Sequence, residues 1–301
     1  MTSPKLPLTA IVAVKNEATN LTRCLDALTP AQKVVVVDSG SSDDTVAIAR
    51  AQGAEVMQFQ YAGGYPKKRQ WAIEQLPAST AWILLVDADE VIPVKLWREM
   101  AGAIIAPDAP EAFLVKKSYH FLGRRFRFGG FSFQAVVLFR RGRARFERLV
   151  EDEPGGLDME VHERLIVDGR MGTLREPLLH EDFKGLEAYI DRHNKYSTWE
   201  ARLRKRYFDT GRWGFDGVQP RLFGNTQESR RFLKLLAIRF PFEAEAWFAY
   251  HYWLRLGILE GRPGLIASQI RSSYVRQIRS KLYELRLKER TIKNLGAAKR
   301  L

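Results

Sequence analysis

Asp87, Asp89 and Glu90 close an apolar run, Trp82-Ile83-Leu84-Leu85-Val86. A run of strand length that stops abruptly at carboxylates reads as a central parallel strand. It delivers Asp87 and Asp89 to the carboxyl edge of a sheet, where open α/β folds bind ligands. Hard oxygen ligands gathered on a short turn suit Mg2+ or Mn2+, and such an ion in turn holds a diphosphate. Taken alone, the same residues also describe a solvated acidic turn after a strand.

A second carboxylate has the same placement. Asp38 ends the run Val34-Val35-Val36-Val37 and is followed by Ser39-Gly40-Ser41-Ser42-Asp43. There it could accept a hydrogen bond from a nucleobase N–H, while Gly40 permits a tight turn and Ser41 or Ser42 is expected to cap the next helix. Glu17, in Lys15-Asn16-Glu17 after the first apolar run, offers a further base or ribose contact.

These residues need strands and helices in alternation to hold them, and the first hundred residues alternate in that way. Strands are expected over 8–15, 33–38, 55–59 and 82–87, and helices over 18–28 and about 43–52, the latter stopped by Gly53. Pro66 can open a helix carrying Lys67, Lys68, Arg69 and Trp71, and Pro93 begins another. Over 111–179 the pattern changes to short strands and Arg/Gly-rich turns, which would complete the sheet and build the second-substrate side of a cleft. Helical periodicity returns over 183–207, 212–227 reads as a linker, and the remainder is helical and basic.

Composition sets bounds on this picture. With 301 residues and 46% hydrophobic content, the chain can bury the core of one domain of roughly 200 to 250 residues plus an appendage. Cys24 is the only cysteine, which excludes a disulfide framework and points to a reducing compartment. The opening Met1-Thr2-Ser3-Pro4-Lys5-Leu6-Pro7 leaves no room for a signal peptide before the first strand, so the cytoplasm is expected.

Charge is uneven: from position 221 to the end there are 17 Lys and Arg against 6 Glu, +11 of the chain's net +13. Phe240, Phe242, Trp247, Phe248, Tyr250, Tyr252 and Trp253 crowd beside Lys234, Arg239 and Arg255. That mixture fits an interfacial element on an anionic membrane surface better than a base-stacking platform, so no nucleic acid is expected. Arg271, Arg276, Arg279 and Lys281 are then placed to meet anionic lipid. The longest uncharged run there, 246–254, is far short of the roughly 20 residues that a spanning helix needs. Packing of the aromatics against the rest of the chain is the competing account.

Four segments together, Ala13-Val14-Lys15-Asn16-Glu17, Val36 to Asp43, Lys68-Arg69-Gln70-Trp71-Ala72 and Leu85 to Glu90, resemble the GT-A glycosyltransferases of family 2. The bacterial branch containing the lipopolysaccharide core β-1,4-glucosyltransferases is the nearest likeness. Val161-His162-Glu163 with Gly169, Leu174 and His180 resembles that branch more loosely.

The resemblance implies an α/β GT-A fold, Rossmann-like with a mainly parallel sheet flanked by helices, and a basic, aromatic helical C-terminal extension. The catalytic domain would span 1–210, with its nucleotide-sugar half at about 1–105 and its acceptor half at about 106–210. A linker at 211–227 and a membrane-associating extension at 228–301 would follow. The activity implied is inverting transfer from a nucleotide sugar, most often a UDP-sugar, to a hydroxyl of a glycan or lipid-linked glycan in envelope or lipopolysaccharide synthesis. Such an enzyme would sit peripherally on the cytoplasmic face of the inner membrane.

Residue by residue, Glu17, Asp38 and Asp87 would contact the nucleoside and Asp89 would hold the metal on the diphosphate. Lys68 or Arg69 would add positive charge nearby. Inversion in one displacement needs a carboxylate base on the acceptor side. Glu163 is favoured from its Val-His-Glu context, with Asp152 and Asp182 as alternatives. His162 is a candidate further metal or phosphate contact, whereas His180 is more economically read as a core or capping histidine.

A dehalogenase-type phosphotransferase would place its paired aspartates near the chain start and continue into Gly and Thr, unlike Glu90-Val91-Ile92-Pro93. The non-enzymatic alternative is a membrane-surface or nucleic-acid-binding protein on a degenerate transferase domain. Intact Asp38, Asp87 and Asp89 argue against it.

Overall fold

The computed structural model describes residues 5–149, 157–161, 163–181 and 184–298. They divide into two units, one of Met1–Glu147 with Asp152–Lys184, the other of Arg148–Glu151 with Gly185–Leu301.

The first unit opens with β1 (Leu6–Val14), α1 (Ala18–Asp26), β2 (Ala31–Asp38), α2 (Thr45–Ala51), β3 (Glu55–Gln58), α3 (Lys68–Gln75) and β4 (Trp82–Asp87). It continues through β5 (Glu90–Val91), α4 (Val94–Ile105), β6 (Ala112–Phe121), β7 (Arg124–Arg125), β8 (Phe133–Arg140), β9 (Ala144–Phe146), β10 (Leu165–Val167), β11 (Met171–Thr173) and β12 (Leu178–His180). Ten strands form one sheet, in the order β3-β2-β1-β4-β8-β6-β12-β5 with β7 and β11 also on β6; β9 and β10 form a separate antiparallel pair.

The first four strands are parallel, and their apolar content on both faces explains why. Leu8, Ala10, Val12 and Val14 of β1 pack with Leu21, Cys24 and Leu25 of α1 and Trp97 and Met100 of α4. Ile11 packs on the opposite side with Ala72 and Ile73 of α3. A strand buried on both sides needs this unbroken apolar run.

Register then decides the site. Val14 pairs with Asp38 and Ala13 with Asp87, so β1, β2 and β4 end level and release Asn16-Glu17, Asp38 and Asp87-Ala88-Asp89 at one edge. β12 adds His180, which pairs with Glu90 of β5 and Tyr119 of β6.

One local expectation is corrected. No serine caps α2, whose N-cap is Asp44 without a side-chain cap bond. The Ser41 hydroxyl instead donates to Asp38 at 2.5 Å and accepts from the Asn16 N–H at 2.8 Å. The buried Asp38 carboxylate takes the serine, and the first N–H of α2, that of Thr45, is accepted by the Asp43 carboxylate at 3.1 Å instead.

In the second unit, α5 (Gly185–Thr210), α6 (Thr226–Ala237), α7 (Glu243–Ala249) and α8 (Gly261–Ala298) carry the C-terminal third, with a π-helical turn Tyr250–Leu254 and a 3-10 turn Gly257–Glu260 before α8. Asn225 and Glu228 form a reciprocal capping box on α6. Ala201, Ala244, Tyr274, Val275, Ile278 and Leu282 form the apolar core. A buried ionic network crosses it: Arg204 meets Glu200 at 2.9 Å and Glu243 at 2.6 Å, and Lys234 meets Glu200 at 3.0 Å. Burial outweighs Glu200 and pushes Lys234 down to about 8. Removing Arg204 leaves Glu200 with Lys234 and Tyr274 and Glu243 with only Arg279 at 3.6 Å, so Arg204→Ala should destabilise this unit by about 2–4 kcal/mol in urea denaturation; a loss below about 1 kcal/mol would show the network to be dispensable.

Candidate functional site

The loops after β1 and β2 are stitched together. Asn16, at φ 55°, accepts from the Ser42 N–H at 2.8 Å, and Asp43 accepts from the Ala18 N–H at 3.2 Å. Asp38 is 1% exposed and accepts from the N–H groups of Gly40 and Ser41 at 3.1 Å. Its carboxylate therefore shapes the turn, and Gly40, at φ 81°, supplies the left-handed conformation that the turn needs. Glu17 receives Lys184 Nζ at 2.6 Å and Asn20 Nδ2 at 3.1 Å.

The N-terminus of α3 lies at the same edge and carries three cations in a row. Lys68 is buried and bridges two loops, donating to the Val14 carbonyl at 2.9 Å and to Ser39 Oγ at 2.7 Å, with Asp158 at 3.3 Å. Burial lowers its pKa, against the pull of Asp158. Arg69 reaches Asp87 with its guanidinium and the Glu160 carbonyl at 3.2 Å. The Glu160 carboxylate accepts from the Arg69 and Gln70 N–H groups at 3.0 and 2.9 Å, satisfying two first-turn donors that the helix itself leaves open.

Lys67 meets Glu163 at 2.7 Å, with side-chain exposures of 4% and 2%. The Glu163 Oε2 is buried with no hydrogen-bond partner among the described residues. Burial raises the Glu163 carboxyl to about 7, and Lys67 only partly offsets it.

Asp87, Asp89 and His180 converge, each offering one ligand atom within 4.8 Å of the others. His180 Nδ1 stands 3.6 Å from Asp89 and 3.3 Å from Glu90. Lys117 of β6 lies behind them, 3.1 Å from Asp87 and 2.5 Å from the fully buried Glu90. Glu90 accepts the Asp87 N–H at 2.9 Å, which fixes the turn. Burial works against ionisation of Asp87, but Arg69 and Lys117 prevail and hold it well below the usual carboxylate range. Burial likewise opposes the charge on His180, while Asp89 and Glu90 raise it to about 9. Two carboxylates supply the hard oxygen donors that suit Mg2+ or Mn2+, so Asp87 and Asp89 fit a divalent ion, to which His180 adds a nitrogen once it gives up its proton.

The sequence-expected residues thus fall into groups. Arg69, Asp87 and Asp89 gather around the acidic turn, and Asp38 and Lys68 brace the loops beside it. Glu17 sits with Lys184, and Glu163 is tied to the same helix end through Lys67. Asp152, Asp182 and His162 lie outside the described residues. Sequence reasoning passed over Lys117, named Glu90 only as part of the acidic turn, and set His180 aside as a core or capping histidine. The available signals were a lysine inside the apolar strand β6 and a histidine ending the apolar Leu178-Leu179 pair.

Comparison with known proteins places the chain among sugar-transferring enzymes. The family model described as Glycosyl transferase family 2 matches residues 9–145. The lipopolysaccharide core biosynthesis glycosyltransferase LpsC of Rhizobium meliloti (strain 1021) is 30% identical over 66% of this chain and 72% of its own length. An uncharacterized glycosyltransferase of Rickettsia typhi is 23% identical over 95% of this chain and 89% of its own. Among solved structures, glucosyl-3-phosphoglycerate synthase of Mycobacterium tuberculosis overlaps 39% of this chain and 45% of its own at 21% identity, with a TM-score of 0.31.

Proposed function

The chain belongs to glycosyl transferase family 2, and on that premise we propose that it is an inverting, metal-dependent enzyme using a UDP-sugar. Its acceptor is a hydroxyl of a lipid-linked glycan in envelope or lipopolysaccharide synthesis, and it works peripherally at the cytoplasmic face of the inner membrane. The observation that carries this reading is the convergence of Asp87, Asp89 and His180 at the carboxyl edge of the parallel strands. That edge is where α/β folds place nucleotides.

Asp87, Asp89 and His180 would hold Mg2+ or Mn2+, which when bound supplies positive charge to the diphosphate oxygens. Arg69 and Lys117 add fixed positive charge beside Asp87, so the leaving group departs into an electrostatically prepared site. The turns ordered by Asp38 and Lys68, with Glu17 at their rim, receive the nucleoside. The acceptor oxygen attacks the anomeric carbon, the bond to the diphosphate breaks with its electron pair leaving on the diphosphate, and the acceptor proton passes to Glu163. A carboxylate raised to about 7 is a stronger base than an exposed one and is still substantially ionised at neutral pH. Lys67 orients it through one oxygen, and the other is buried with no hydrogen-bond partner among the described residues, so the acceptor hydroxyl would have to displace its cover to reach it.

The test is a panel of nucleotide sugars with Mn2+, scored by thermal shift and by NMR of the product's anomeric configuration. Stabilisation by a UDP-sugar and an inverted product support the reading; retention of configuration would overturn the single displacement. The pH dependence follows from Glu163. Because the base must be ionised, kcat/KM should rise through a limb near pH 7 and level above it. A flat profile from pH 5.5 to 8.5 would remove Glu163 from that role.

A further inference from the structure

Over 250–264 the usual polarity of burial is inverted. His251 and Glu260 are turned inward at 6% and 1% exposure, whereas Trp253, Leu254, Leu256, Ile258 and Leu259 face outward at 58%, 73%, 48%, 40% and 54%. This is not a loose tail. The segment is a π-helical turn and a 3-10 turn laid against the start of α8. The packing is close enough that a Cβ on Gly257 would meet the His251 carbonyl at 2.5 Å, and one on Gly264 would collide with the Gly257 carbonyl. Leu256 adopts the left-handed φ of 57°, uncommon for a residue other than glycine, and it is half exposed.

Charge identifies the occupant. Arg255 and Arg262 are exposed, and Glu260, the sole acid of 250–264, is buried. Three of the four basic residues of α8 that the sequence offered for lipid already have partners within the unit. Arg276 pairs with Glu245 at 3.0 Å, Arg279 donates to the Phe240 carbonyl at 2.9 Å, and Lys281 donates to the Asn194 carbonyl at 2.8 Å. Among the described residues no helix is long and apolar enough to cross a membrane. An exposed apolar ridge flanked only by cations matches the headgroup layer of an anionic bilayer, where apolar area and basic charge add to the binding.

We propose that Trp253 to Leu259 is a wedge that inserts into the headgroup region of an anionic membrane, with Arg255 and Arg262 on the lipid phosphates. It rests on the membrane-side placement proposed above and names the surface responsible.

The test is flotation of the full chain with phosphatidylglycerol-containing and pure phosphatidylcholine vesicles, at low and high salt. Two variants accompany it, a triple Trp253→Ser/Leu254→Ser/Leu259→Ser and a double Arg255→Gln/Arg262→Gln. The wild type should float with anionic vesicles and the triple variant should bind tenfold less or worse. The double variant should fall to the level seen with neutral lipid. Circular dichroism and UDP-sugar hydrolysis should be unchanged in the triple variant, which separates loss of docking from loss of fold. Absence of hydrolysis in the wild type would count against the donor reading and leave the flotation result standing. Equal flotation of the wild type and the triple variant overturns the wedge. So does a wild-type dimer in light scattering that the triple variant converts to a monomer, which would make this face an interface between copies of the chain.

Discussion

Asp89→Asn is expected to cut sugar transfer by about 10³-fold while leaving the unfolding midpoint close to that of the wild type. The carboxylate stands on the turn between β4 and β5, outside the two packed faces of the sheet, so the fold loses little. On the proposed mechanism the chemistry loses the charge that would hold a cation on the departing diphosphate, worth several kcal/mol in the transition state. Donor binding with Mn2+ should weaken in parallel. Transfer at the wild-type rate in Asp89→Asn, or in excess EDTA, would remove the metal from the mechanism.

The second large effect is at Glu163. Glu163→Gln keeps the shape and a hydrogen-bonding partner for Lys67 but cannot take a proton, so kcat should fall by about 10²-fold or more with little change in donor affinity. The limb near pH 7 should vanish with it. If the substitution instead raises KM for the donor and spares kcat, Glu163 is part of the binding surface, and the base lies elsewhere in the chain.

Much of this site was legible because its parts end strands. Asp38 and Asp87 announce themselves by terminating apolar runs, and the level ends of β1, β2 and β4 follow from strands that must be apolar on both faces. What could not be read depends on pairing between distant segments. Lys117 reaches Asp87 only because β6 lies beyond β8 in the sheet, and His180 reaches Asp89 only because β12 returns to pair with β5. The partnership of Lys67, Lys68 and Arg69 with Glu163, Asp158 and Glu160 joins segments about ninety residues apart. Nothing in local periodicity encodes such a meeting. The lipid-facing role expected of Arg276, Arg279 and Lys281 came from composition, which counts charges without showing that each also has a partner within the fold.

On the proposed function, Asp87, Asp89 and His180 hold a divalent ion against the diphosphate of the donor. Calorimetric titration of UDP into the wild-type protein with Mn2+, and again with EDTA, tests it most directly. UDP should bind at least tenfold tighter with Mn2+, and His180→Ala should lose that gain. Equal affinity of the wild type for UDP with and without the metal would contradict it.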